Sequence, residues 1–298
     1  MKKQLLLAVI LVTAFIVSKA QKPDTAHMLV YYKFIHQRDT ANRAHPYIEN
    51  MVLYIGKSSA AYRSYDGVVA NEQFKKAYAE AAASSPDGNI RINRKGVGTP
   101  VEYYQYPNEH KMVTKEMVMA NSYLIESAMP AIDWKIRNDT ATFGGLHCQK
   151  ATGHFKGRDY VAWFCPDLPV HAGPWKLNGL PGVIMDAHDS KNEVIFQFAG
   201  AEKAVYAESK SITAGMADKD VPPILWDLDY DLNLIAPPKR AIKTTQRELD
   251  RLRETMRKDP NGFVKVMNAG NGPQMDQVKG GPPRGPVINN PVELPEKK

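Results

Sequence analysis

Between His27 and about Glu208 the chain falls into short runs rich in β-branched and aromatic residues, separated by Gly, Asn, Asp or Pro. Such runs read as strands: Leu29–Ile35, Asn50–Ile55, Val101–Tyr106, Lys111–Ile125, Asp133–Arg137, Thr140–Phe143, Gly182–His188 and Glu193–Phe198. Turn residues near Met119–Ser122 divide the fourth run in two, and two further strands flank Lys156-Gly157. Short links between many short strands favour antiparallel meanders over βαβ units. Two stretches break the pattern. Ala70, Phe74, Ala77, Tyr78 and Ala81 share one face at helical spacing, which predicts a helix over Ala70–Ala83, stopped by Ser84-Ser85-Pro86-Asp87-Gly88. Thr245 and Glu248 have capping-box spacing at the head of a second helix over Thr245–Lys258, with Leu249, Leu252 and Met256 as a narrow apolar stripe and Pro260-Asn261-Gly262 as its stop. The expected fold is α+β and predominantly antiparallel β, a curved sheet packed on a helix.

The N-terminus has another character. Lys2 and Lys3 precede the apolar run Leu5–Val17, and Ser18-Lys19-Ala20 then places small residues ahead of Gln21. This is the order of a cleaved secretory signal over residues 1–20. The run is shorter than the roughly 20 apolar residues that a membrane span needs. A periplasmic, outer-membrane-associated or secreted protein is expected after cleavage near Ala20-Gln21. The remaining organisation is read as a β-rich domain over 21–236, a basic helical segment over 237–267 and a disordered tail over 268–298, poor in large apolar residues and rich in Gly and Pro.

Charge qualifies this picture. The net +7 is not spread along the chain: residues 21–238 carry 23 basic and 25 acidic side chains, residues 239–298 carry 13 and 7. The basic character belongs to the C-terminal segment, where a weak contact with an anionic surface is the expected partner interaction. An exported protein has little occasion to meet nucleic acid, so that partner is excluded despite the pI.

Cys148 and Cys165 are the only cysteines. If Lys156-Gly157 is a two-residue hairpin loop, partner positions sum to 313, and the two cysteines face each other as a non-hydrogen-bonded pair. Their Cα separation, about 4.5 Å in such pairs, falls inside the disulfide window of about 4.4–6.8 Å. In an exported protein that predicts a Cys148–Cys165 disulfide. His147, His154 and His171 are close in sequence, but on this register they do not converge, so no metal is expected.

Catalytic signals are thin. Asp186, His188 and Asp189 could supply acid–base chemistry but read more simply as a solvated strand end. Trp226–Leu232 alternates strictly and reads as a half-buried edge strand with three Asp on one face; Leu232 and Pro238 stand where a calcium loop needs Gly and Glu. No Gly-x-Ser-x-Gly elbow, His-Glu-x-x-His pair or phosphate loop is present. No catalytic residue and no cofactor is assigned.

The densest motif is Gly173-Pro174-Trp175-Lys176-Leu177-Asn178-Gly179-Leu180-Pro181-Gly182-Val183-Ile184. Leu180–Val183 suits a type II turn, with Pro181 and Gly182 at its centre. The motif is either a rigid corner between strands or a loop presented to a ligand or partner. It resembles the signature of the GLPGLI family of exported Bacteroidetes proteins over about residues 145–188, with Val183 in place of the usual Leu; Cys148, Ala162-Trp163-Phe164 and Pro169 fit the same pattern. The resemblance implies a cell-envelope location and no known chemistry. The layout also resembles periplasmic lipoprotein-carrier folds, in which a curved sheet wraps around helices. The function expected is therefore that of an exported, non-catalytic envelope protein binding or carrying an apolar ligand or an outer-membrane or secretion partner. The alternative is a structural or assembly factor without a small ligand, and an unrecognised enzyme is a more distant one.

Overall fold

The computed structural model describes residues 23–85, 97–119, 121–205, 233–268 and 287–296, together with residues 212–213, 216–217, 221, 225–226, 228 and 231. The expected signal peptide lies outside these residues.

The strands, in chain order, are β1 (Asp24–Thr25), β2 (Met28–His36), β3 (Tyr47–Ile55), β4 (Ala60–Ser64), β5 (Glu102–Tyr106), β6 (Lys111–Val118), β7 (Asn121–Ala128), β8 (Lys135–Phe143), β9 (Leu146–Phe155), β10 (Arg158–Cys165), β11 (Val183–Asp189), β12 (Val194–Lys203), β13 (Leu234–Ile235) and β14 (Ile242–Thr244). The helices are α1 (Tyr65–Ser84), α2 (Gln246–Lys258) and α3 (Pro260–Asn268). One large sheet holds twelve strands in the order β14-β7-β6-β5-β4-β3-β2-β12-β11-β10-β9-β8, and β1 pairs separately with β13. Its pairings are antiparallel except for β14, which runs parallel to β7. The protein is mainly β, as expected, and helices pack on it only modestly.

Local chemistry explains the turns. Lys156 and Gly157 both have positive φ, 51° and 68°, which a two-residue type I′ hairpin loop requires. Gly144 and Gly145, at 57° and 82°, make the same turn between β8 and β9. Met119 at φ 55° ends β6 where the long run was expected to divide. The segments Asp133–Arg137 and Thr140–Phe143 are one strand, β8, whose pairing with β9 shifts between Ile136 and Thr140. Strand β4, fully buried, escapes a pattern reading because its small residues carry little periodicity.

Three expectations are corrected. Helix α1 starts five residues early, because Ser64 caps it by accepting the Gly67 N–H at 2.9 Å. Its buried Phe74 and Tyr78 pack against Val221, Leu225 and Leu228, and among the described residues no helix side chain belongs to the main sheet core, unlike the layout of a lipoprotein carrier. The Pro260-Asn261-Gly262 stop is also a start. Asp259 accepts the Gly262 N–H at 2.8 Å and Pro260, which needs no N–H partner in a first turn, opens α3. The tail was expected to be structureless; residues 287–296 instead lie against the sheet with Asn290 buried.

The capping box of α2 forms as expected, with Thr245 and Glu248 bonding reciprocally. Leu249, Leu252 and Met256 dock on Val118, Tyr123 and Ile125. Through β14 and this stripe, the basic segment is part of the main sheet rather than an appendage. Arg253 pairs with Glu116, and Arg257 and Lys258 pair with Glu254. Of the Trp226–Leu232 run, Trp226 and Leu228 lie in turns, and Asp227, Asp229, Tyr230 and Leu232 lie outside the described residues.

The main core lies between β2, β3, β4, β9, β10, β11 and β12 and the loop running from Leu168 to Leu180. That loop, with the Gly-Pro-Trp motif, occupies the place expected for a helix.

Candidate functional site

The motif loop is held from below by one side chain. Gln105 of β5, fully buried, donates from Nε2 to the carbonyls of Gly173 (2.8 Å) and Trp175 (3.0 Å), and its Oε1 accepts the Gly173 N–H at 3.2 Å. Tyr32 donates its hydroxyl to Ile184 O at 2.6 Å, Ile184 N–H bonds Ala172 O, and Trp134 Nε1 donates to Asn178 O at 2.8 Å. Loop backbone that would otherwise be buried without partners is thereby satisfied.

The type II turn is not what forms at Leu180–Val183. Gly182 has φ +148°, and the Val183 N–H bonds Leu168 O rather than Leu180 O. The cause is a close crossing. A Cβ on Gly182 would lie 2.1 Å from Cys165 O and 2.6 Å from its carbonyl carbon. Glycine is required there because the end of β10 passes directly against it. Leu180, Val183 and Ile184 are buried in the core. Trp175 of the motif lines a cavity.

Trp175 stacks on Phe196 (centroids 6.2 Å, 14° between planes), and Phe196 stacks on Phe34 (5.1 Å, 24°). Tyr62 meets Phe196 edge-on at 6.4 Å. With Met51, Val101 and Tyr103 these rings line a cavity of about 270 Å³. Its polar side is His36, Arg38, Glu49 and Thr99. The Arg38 guanidinium lies 3.3 Å over the Tyr47 ring, Tyr47 donates to Glu49 at 2.6 Å, and Glu49 also accepts the Thr99 N–H at 2.6 Å. Tyr62, on the cavity wall, is 2% exposed, and its hydroxyl has no hydrogen-bond partner among the described residues. Burial raises its pKa well above the ordinary value, so it stays a neutral hydroxyl. The mouth is edged by Ile288, Pro291 and Val292 of the C-terminal segment.

That segment is anchored by Arg158, whose side chain is 2% exposed. Arg158 pairs through Nη1 with Asp189 at 2.6 Å and Glu193 at 3.5 Å. Its other donors reach the segment: Nε to Val292 O (2.9 Å), Nη2 to Pro291 O and Asn290 Oδ1 (both 2.7 Å). Asn290 Nδ2 donates to Gln37 O and Glu193, and its carbonyl meets His36 Nε2 at 2.7 Å. A carbonyl only accepts, so Nε2 carries the hydrogen. Burial lowers the His36 pKa, with the Asn290 bond opposing, and the ring is neutral. At the far end Leu294 N–H bonds Lys156 O, Glu293 pairs with Lys156 and Lys176, and Glu296 meets Gly157 N–H and His154.

The remaining candidates do not assemble into a catalytic site. Asp189 is committed to Arg158 and to the N–H groups of Glu193 and Val194. Asp186 accepts the Phe198 N–H, and burial raises its pKa. No group of three or more His, Cys, Asp or Glu with metal-site geometry occurs among the described residues.

The cysteines require a correction. The β9–β10 register is the expected one, from Phe155↔Arg158 to Gln149↔Phe164. Yet Cys148 and Cys165 are free thiols, both buried, and no disulfide joins them. Burial, reinforced by the neighbouring Cys165, pushes the Cys148 thiol up to about 12, and burial raises Cys165 also. Both are protonated at neutral pH and poor nucleophiles for disulfide exchange. Facing register is thus met without the bond.

Reading the sequence missed Arg158, Asn290, Gln105 and Tyr62. A lone Arg after a hairpin turn and an Asn-Pro near a terminus carry no pattern. Their partners are 132 residues apart in the chain.

A family model described as "Protein of unknown function (Porph_ging)" matches residues 154–186. This lies within the stretch on which the GLPGLI resemblance rests, without carrying that name. No curated protein matches the chain. Among solved structures the chain is similar to PNGF-II in two space groups, P21 and C2, each with a TM-score of 0.50, at 8% and 9% identity. The matches cover 78% of this chain and 34% and 33% of those. The chain spans about a third of the PNGF-II length, and at this identity the likeness is one of fold.

Proposed function

We propose that this is an exported, non-catalytic envelope protein that binds a small apolar ligand in the cavity beside Trp175. The observation that carries the reading is the wall itself: Trp175, Phe196, Phe34 and Tyr62 pack ring on ring around a cavity of about 270 Å³, with Met51, Val101 and Tyr103 beside them. Such a surface offers apolar and ring-stacking contacts to a small ligand. The volume sets the scale. About 270 Å³ lies just under the range of roughly 300–1,000 Å³ common for small-molecule sites, and an apolar cavity of about 150 Å³ takes a benzene ring. A ligand of one or two rings, or one bulky apolar side chain, fits better than a lipid carrier's acyl chain. The envelope location rests on the N-terminal pattern and the GLPGLI resemblance.

Native mass spectrometry of the mature protein, gently isolated from its own envelope, tests this. A retained small molecule supports the reading. A clean apo mass, with Trp fluorescence indifferent to small aromatic probes, would overturn it. The second reading, a polypeptide partner, is favoured by the bound segment 287–296.

A further inference from the structure

The surface that holds Val287–Glu296 is fixed by contacts of its own as well as by the segment. The Arg158 charge is balanced by Asp189 and Glu193, both from the sheet region. Asp189 is itself fixed by the backbone of Glu193 and Val194. What remains of the guanidinium, three N–H donations, is aimed at three oxygens of the segment. Gln37 O and Arg38 O offer acceptors to Asn290 and Asn289. Lys156 and Lys176 offer charge to Glu293. The core offers a place for Val292, and the cavity mouth meets Ile288 and Pro291. Most of these contacts read segment backbone and asparagine side-chain amides, the chemistry of peptide recognition. The segment is joined to α3 by residues 269–286, half of which are Gly or Pro.

We infer that this surface is a recognition site for a polypeptide segment of Asn-Pro-apolar-acidic character, and that the chain's own C-terminal segment occupies it as an exchangeable occupant. An incoming segment of the same chemistry displaces residues 287–296 and takes over the Arg158, Gln37 and Lys176 contacts. The inference is independent of what fills the cavity.

The test uses full-length protein and a labelled synthetic decapeptide of residues 287–296, Val-Ile-Asn-Asn-Pro-Val-Glu-Leu-Pro-Glu. In the full chain, Asn290→Ala with Val292→Asp weakens the resident segment and leaves the site intact. This variant should bind the decapeptide at least about tenfold more tightly than the unaltered chain. A decapeptide carrying the same two changes should not bind, and adding Arg158→Lys to the protein should remove the gain. Equal binding of both peptides, or no gain over the unaltered chain, overturns the inference. Should the double variant fail to fold, hydrogen exchange on the unaltered chain decides. Excess decapeptide should strip protection from the Asn290 and Leu294 amides, now bonded to Arg38 O and Lys156 O. Unchanged protection at saturating peptide overturns it.

Discussion

Two buried charge clusters occupy opposite halves of the sheet, and they are built for different ends. Glu102 of β5, Lys115 of β6 and Arg63 of β4 come from three neighbouring strands. Glu102 and Lys115 are direct cross-strand partners, 2.9 Å apart between charged atoms, and Tyr104 adds a hydroxyl at 2.6 Å. These charges tie neighbouring strands to one another. The Arg158–Asp189–Glu193 cluster is buried too, and three of its donations go to a segment from the end of the chain. The first cluster links adjacent strands; the second also holds a segment from far along the chain.

The comparison breaks first at Lys115. Lys115→Met leaves a buried Glu102 carboxylate short of its main partner, and should cost about 3–5 kcal/mol. Combined with Asn290→Ala in a double-mutant cycle, the two costs should add within about 0.5 kcal/mol. Denaturant midpoints measure both, and strong coupling would mean the two clusters are not separate.

The next effect is the reverse one. Arg158→Lys keeps a charge for Asp189 but loses the fork that reaches Val292, Pro291 and Asn290. The expected cost is about 1–3 kcal/mol. In a cycle with Asn290→Ala the two should couple by about 0.5–3 kcal/mol. Additivity here would show that Arg158 serves the sheet alone.

The Glu102 cluster also answers to acid. Burial pushes the Glu102 carboxyl up, but Lys115, Arg63 and the Tyr104 hydroxyl outweigh it and bring it from 4.5 down to about 2. A carboxyl depressed in the folded state stabilises fully above its unfolded value. That contribution should fade as pH falls from about 4.5 toward about 2. Thermal midpoints of the unaltered chain should drop across this window, and Glu102→Gln, though less stable at pH 7, should drop less.

What was legible in the sequence follows from range. The Lys156-Gly157 hairpin, the α2 capping box and most strand positions depend on residues within a few positions of each other, and local pattern found them. Gly182 was recognised as special for the wrong reason: turn chemistry was invoked where a crossing strand end demands the missing Cβ. The disulfide was inferred from a correct register, but register brings two thiols together without oxidising them. The Arg158–Asn290 contact joins residues 132 apart in the chain, beyond the reach of local pattern, and low local hydrophobicity makes residues 287–296 read as structureless. Hydrogen bonds between the sheet body and the segment hold it where apolar bulk does not.

The smallest expected effect lies at the outer end of the segment, beyond the Arg158 cluster. His154 bonds Asp159 through Nδ1 at 2.6 Å and Glu296 through Nε2 at 2.8 Å. Hydrogen bonds to Asp159 and then Glu296 raise its pKa above 6.5. A histidine raised in the bound state anchors fully below its free value and lets go as pH climbs through the raised one. The protection factor of the Leu294 amide, corrected for intrinsic exchange, should therefore be highest below about pH 6.5 and fall roughly two- to fivefold above the raised pKa. His154→Gln should flatten that dependence while leaving Asn290, held by the buried Arg158, protected at every pH. If Asn290 follows the same titration as Leu294, the segment releases as one unit from its outer end, and the buried cluster is not what holds it.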